Sequence, residues 1–420
     1  MGLGHPGRPN RLRSEEPRQT GSTITATPLH IDLVRTLWSI PVSEEAFSGN
    51  GGENSDHAAA LFRKSFLFLQ DARGVRAFHL ENGQPAWAST SKDDAGFLWD
   101  SSGGSQRISR LQRQLRFDPL LRDSLWIGQV DDLLVALDTS AEGRLLWGLR
   151  IEHLLGDLAA EGEVACAPIA DKDGILIAVH QHSPRSRTLV ACTMDGKVQW
   201  RSRNVPCPLD VESIPDGIAV TDARAYWNAG GHRVLAADRQ TGRIIWQTEL
   251  ARSPASSKIP SPQNGLPRGK TLFLHGDLLC VLSAGQVSLL NATTGQLRWT
   301  SDLAAPINQL LGIDGNLLIG VGHHLSAIDL VVPSLRWSIR SEEKSSAPGC
   351  CLLQGGTLLY STNGELRTLE TQTGRIVQRD LLPLGAGEHV CGLSLEQNTL
   401  LIVTDQYCRA VRILRRDLSH

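Results

Sequence analysis

Val234-Leu-Ala-Ala-Asp-Arg-Gln-Thr-Gly-Arg-Ile-Ile-Trp246 reads as a strand, a tight turn and the start of a second strand. Val234, Ala236 and Asp238 alternate with Leu235 and Ala237, the period of two that sends successive side chains to opposite faces of a sheet. In the turn, Asp238, Gln240 and Thr241 satisfy backbone groups locally, and Gly242 supplies a positive φ. Six further segments stand in phase with this one. Five end at Trp87, Trp147, Trp200, Trp299 and Trp337; the sixth, Leu366 to Gln378, carries Gln at the Trp position. An eighth mark, Trp38, closes Leu33-Val-Arg-Thr-Leu-Trp38 with no hairpin before it. The marks lie 38 to 60 residues apart, and a period of ~40–50 residues is that of propeller blades.

Upstream of each hairpin sits another short apolar run, such as Thr271-Leu-Phe-Leu-His275 followed by Leu278-Leu-Cys-Val-Leu282. Each unit therefore supplies about four antiparallel strands, one blade, and a blade cannot cover both its faces unless neighbours stack in a ring. At the C-terminus Val390–Leu395, Thr399–Val403 and Cys408–Leu414 read as three strands lacking a fourth. The strand ending at Trp38 supplies it. The expected fold is all-β: an eight-bladed propeller of four-stranded antiparallel blades, closed by the N-terminal strand completing the C-terminal blade. It occupies residues 28–416, after a polar leader or linker at 1–27 and before a tail at 417–420. In the long interval before Trp147, Gln114-Leu-Arg-Phe-Asp118 is the expected first strand of its blade.

Ala236-x-Asp238-x-x-Thr241-Gly242-x-x-x-Trp246 resembles the pyrroloquinoline-quinone-like repeat of the quinoprotein alcohol dehydrogenase-like superfamily. That superfamily also includes a barrel-assembly lipoprotein of bacterial outer membranes. The resemblance covers roughly residues 30–416. It implies that Trp38, Trp87, Trp147, Trp200, Trp246, Trp299 and Trp337 dock against neighbouring blades, with the turn glycine beneath each indole. Three units depart from the pattern: Pro333-Ser334 occupy a turn, Thr193 replaces the turn Asp, and Gln378 removes an indole. Trp-Asp repeats are the rival propeller type, but Trp99-Asp100, the one such dipeptide, is out of phase.

Composition narrows the function classes. With 42 cationic and 44 anionic residues the net charge is −2, so no basic surplus directs the chain to nucleic acid or an anionic membrane. The 41% of apolar residues is enough for a large core and too much for a disordered chain. No apolar run reaches the ~18 residues of a membrane span. Residues 1–27 carry Pro6, Pro9 and Pro17 and lack the apolar stretch of a secretory signal. Taken at face value the chain is cytoplasmic. If it is a fragment, or its start is misassigned, a periplasmic or envelope location follows instead.

Few residues suggest chemistry. Quinone dehydrogenases of the superfamily carry a disulfide between adjacent cysteines beside the cofactor, which makes Cys350-Cys351 a candidate for a quinone site with calcium. The same pair also reads as the start of an apolar strand, with the two side chains on opposite faces. His323-His324 and His180-Gln-His182 are candidate metal ligands without an acidic or Cys partner nearby in sequence, and exposed blade-edge histidines are the plainer reading. Arg107, Arg110, Arg113 and Arg116 recur every three residues, either as a basic amphipathic insert or as solvated strand residues. No catalytic set is evident. The expectation is a non-catalytic, monomeric scaffold that binds a protein partner through loops or blade edges, without a cofactor. The alternatives are a quinone-dependent dehydrogenase, or an envelope assembly or sensor module of a longer protein.

Overall fold

Each repeat folds as an antiparallel sheet whose strands follow one another from the inside of the ring outward. The computed structural model describes residues 29–41, 59–90, 120–156, 162–206, 217–251, 271–301, 307–340 and 350–417, apart from breaks of one to three residues within those spans. Blade 1 holds β2–β5 (59–90), blade 2 β6–β9 (120–150), blade 3 β10–β15 (162–206) and blade 4 β16–β19 (218–249). Blade 5 holds β20–β23 (272–300), blade 6 β24–β27 (307–340) and blade 7 β28–β31 (350–381). Blade 8 joins β32 (Val390–Glu396), β33 (Thr399–Thr404) and β34 (Tyr407–Asp417) to β1 (Leu29–Pro41) from the other end of the chain.

The eight-bladed propeller is thus closed as the composite last blade requires. β1 runs antiparallel to β34 from Leu29 opposite Asp417 to Pro41 opposite Tyr407, with Leu33 facing Ile413 and Trp38 facing Ala410. Ile31, Trp38 and Ile40 are buried by that pairing. The innermost strands of blades 8 and 1, β32 and β2 (Ala59–Arg63), lie against each other and complete the circle.

Burial follows position within the blade. Middle strands such as β18 (Arg233–Asp238) and β25 (Leu317–Gly322) are covered by blades on both sides, and their central residues form unbroken buried apolar runs. Outer strands such as β19 (Ile244–Glu249) alternate between half-buried and exposed residues. Each core cluster bridges consecutive blades, as where Leu317, Ile319 and Ala327 of blade 6 meet Leu358, Tyr360 and Leu369 of blade 7.

Two details differ from the sequence expectation. The first strand of blade 2 is β6 (Leu120–Arg122), which pairs with β7 (Leu125–Val130) across a two-residue turn with Asp123 at φ +52°. The expected strand at 114–118 and the arginines at 107, 110, 113 and 116 lie outside the described residues. In blade 3 the first strand is split into β10 (Gly162–Val164) and β11 (Ile169–Asp171), both pairing β12 (Gly174–Gln181). Between blades 2 and 3 a single helical turn, α1 (Ile151–Leu155), seats Ile151 and Leu154 in the core. Arg201 caps it by donating to the carbonyls of His153 and Leu154, at 2.7 Å each.

Candidate interaction site

The repeat signature is consumed at the seams between blades. Trp38 Nε1 donates to Leu80 O at 2.7 Å, Trp147 to Met194 O at 2.9 Å and Trp200 to Arg239 O at 2.9 Å. Trp246 donates to Ala292 O at 3.2 Å and Trp337 to Thr371 O at 2.6 Å. Each acceptor belongs to the last hairpin of the following blade. Under the rings of Trp38, Trp87, Trp147, Trp200, Trp246 and Trp337 lie Gly83, Gly143, Gly196, Gly242, Gly295 and Gly374, all at positive φ. A Cβ on Gly374 would stand 2.8 Å from Trp337 Cδ2. Glycine is therefore required twice there, for the turn and for the indole's approach. Trp299 packs against the cluster containing Ile328 and Leu330, beside the turn that carries Pro333.

The departures from the repeat have physical explanations. Thr193 replaces the turn Asp, yet its hydroxyl accepts from Lys197 N at 3.0 Å and Thr193 N donates to Lys197 O at 2.8 Å, so the hairpin that receives Trp147 keeps its shape. Gln378 faces blade 8, where the hairpin is replaced by the two ends of the chain. Ile31 N donates to Gln378 Oε1 at 2.9 Å and Gln378 Nε2 donates to Ile31 O, so one side-chain amide reads the backbone of the closing strand as a neighbouring strand would.

Polar latches add to the seams. Arg239 is buried and donates to Asp171 at the inner-strand end of blade 3 and to Thr221 O at 3.0 Å. The Asp171 carboxyl sits below its usual pKa; burial opposes this, but the Arg239 hydrogen bond and the Asp173 amide outweigh it. Thr371 occupies the place of Arg239 in blade 7 and donates to Asp314 of blade 6. These bonds fix one blade's rotation against the next.

Those chemically suggestive residues that are described are not gathered into one site. Cys351 lies on β28 (Cys350–Gln354), the innermost strand of blade 7, and is a free thiol packed into the seam with blade 6. Burial pushes its pKa well above the ordinary thiol value. The disulfide that the superfamily resemblance implies would involve Cys350, whose side chain lies outside the described residues. The His180 and His182 rings touch edge to face at 5.2 Å between centroids. His324 Nδ1 lies 3.0 Å from Ser338 Oγ, and His323 is outside the described residues. Among the described residues no group of three or more His, Cys, Asp and Glu side chains is placed to hold a metal ion. No helix there is long and apolar enough to cross a membrane.

Docked indoles stitch the blades into a ring, with hairpins on its faces and outer strand edges on its rim. The PQQ-like family model described as outer membrane protein assembly factor BamB matches residues 71–264 and again 264–390. The chain belongs to this family. The BamB of Yersinia pestis is 21% identical over 359 residues, covering 82% of this chain and 84% of its own length. Among solved structures, BamB from Moraxella catarrhalis superposes with a TM-score of 0.58 at 16% identity, over 91% of this chain and 100% of its own. The quinohemoprotein alcohol dehydrogenase ADHIIG of Pseudomonas putida HK5 superposes with a TM-score of 0.57 at 12% identity, over 91% of this chain and 76% of its own. The two superpositions show the shared fold. BamB-like propellers and quinone enzymes therefore use one architecture, and the site residues must separate them.

Proposed function

We propose that this BamB-like propeller is a non-catalytic scaffold that binds a protein partner during outer-membrane protein assembly, and that it works in the bacterial envelope as a monomer without a quinone. The observation that carries the reading is the family match over residues 71–390, which takes in blades 2 to 7 whole and most of blade 1. The docked indoles support it, because they account for the repeat's aromatic residues as seams and leave loops and rim edges to contact partners. Deleting the chain's gene in its host and measuring outer-membrane β-barrel proteins in gradient-purified membranes tests the reading. A drop in those proteins, restored by the intact chain, is expected; unchanged levels refute it. Dye-linked alcohol oxidation by the purified chain with pyrroloquinoline quinone and calcium would overturn the non-catalytic part.

A further inference from the structure

Blade 6 breaks the surface pattern of its siblings at one place. In blades 4, 5 and 7 the two outward turn positions are Gln240-Thr241, Thr293-Thr294 and Gln372-Thr373. In blade 6 they are Val331 and Val332, exposed by 61% and 67%. The Asp-centred bonding of the turn is kept, although Pro333 stands where blade 4 has Gly242 and cannot make that glycine's N–H bond to Asp238 O. Asp329 Oδ1 accepts from Val331 N and Val332 N at 2.9 and 3.1 Å, as Asp238 Oδ1 accepts from the amides of Gln240 and Thr241 at 3.1 and 2.9 Å. The hairpin therefore folds on the Asp carboxylate, and nothing in its geometry calls for two β-branched apolar side chains in water. Leu335, just beyond the turn, is exposed as well.

This turn feeds β27 (Ser334–Arg340), a seven-residue outer strand whose far edge pairs with no other strand among the described residues. The outer strands of blades 4, 5 and 7 have six, four and six residues, and that of blade 2, β9 (Arg144–Arg150), has seven. Trp337 and Ile339 turn inward while Arg336, Ser338 and Arg340 are exposed. In blade 4 the residue three beyond the Trp is Glu249, paired with Arg233 across the strands at 2.9 Å. In blade 6 that place is Arg340, opposite His324. Among the described residues no carboxylate pairs with Arg336 or Arg340. An open, regular edge bordered by apolar side chains and two guanidiniums with which no described carboxylate pairs has the features of a strand-addition site.

We infer that the free edge of β27 receives an extended acidic segment of a partner protein. The segment pairs as a fifth strand of blade 6, sets two carboxylates four residues apart, about 13 Å, against Arg336 and Arg340, and rests an apolar side chain on Val331, Val332 and Leu335. The inference rests on the scaffold reading and gives it an address.

The probe is a fluorescein-labelled synthetic peptide, Thr-Val-Glu-Val-Thr-Val-Glu-Val-Thr, titrated with the full chain by fluorescence anisotropy. Controls are the same peptide with Lys for Glu and one with alternate backbone nitrogens methylated. Saturable binding of the acidic peptide is expected, with the Lys peptide about tenfold weaker and the methylated peptide silent. R336E/R340E reverses the charge preference, and V331S/V332S weakens binding several-fold; both variants change exposed side chains, and their unchanged unfolding midpoints verify the fold. Equal binding of the acidic and Lys peptides, indifference to R336E/R340E, or binding of the methylated peptide overturns the proposal. In the gene-deletion strain, full rescue by a chain carrying all four substitutions removes this edge as the site and leaves the scaffold reading intact.

Discussion

Replacing Gly374 by Ala tests whether glycine is needed under the indoles or only in the turns. Gly374 has φ +73°, and an added Cβ would lie 2.8 Å from Trp337 Cδ2 and 2.9 Å from Cγ. Gly364, in the same blade, has φ +76° and open space within 4 Å. Both substitutions place an L-residue in the left-handed region, at about 1–2 kcal/mol. Only Gly374→Ala must also move a docked ring that is held by a 2.6 Å bond to Thr371 O, and such overpacking costs about 1–3 kcal/mol more. With a urea m-value of about 3 kcal/mol per M, G374A should unfold roughly 0.3–1 M earlier than G364A. Circular dichroism at increasing urea reads the midpoints. In a Trp337→Ala background the excess should vanish, because the obstructing ring is gone, which appears as a coupling of about 1–3 kcal/mol in the double-mutant cycle. Equal midpoints for the two glycine variants, or an excess that survives Trp337→Ala, would refute the docking argument.

Gln378→Ala removes both bonds to the Ile31 backbone and should lower stability by about 1–3 kcal/mol, with faster hydrogen exchange confined first to β1. Gln378→Trp should not restore it, since blade 8 offers no hairpin glycine to receive an indole; recovery to the parent midpoint would contradict this. The Glu388 carboxyl is buried against Arg409, whose hydrogen bond, ahead of the opposing cost of burial, holds it below its ordinary 4.5. A depressed folded-state pKa stabilises above the unfolded value and loses that contribution as pH falls through the folded one. Glu388→Gln should therefore be less stable than the parent at pH 7, and the gap should close in acid below pH 4.5; a gap independent of pH would refute the assignment.

How far the fold could be read in advance depends on where each blade's constraint lies. Alternating Val234, Ala236 and Asp238, a glycine turn and a terminal Trp are local signals that recur in phase, so the blade count and the joining of β1 to β34 were legible from seven hairpins and one orphan Trp38. The broken first strand of blade 3 was not, because α1 and the 162–171 stretch are placed by packing on β12 and not by a period of their own. Gln378 looked like a lost Trp. Its role depends on residue 31, brought beside it only when the ring closes, and no spacing within a blade reveals that. A clue was nonetheless present: the single repeat without an indole is the one that precedes the composite blade. The Val331-Val332 turn shows the complementary limit. A hairpin's polar turn residues serve its own backbone, so when Asp329 and Ser334 carry that task the positions between them are released from folding. What occupies them then reports on the surface's use. Comparing each blade with its siblings therefore separates the residues that build the wheel from those that face a partner, and in blade 6 the second kind coincide with a seven-residue open edge.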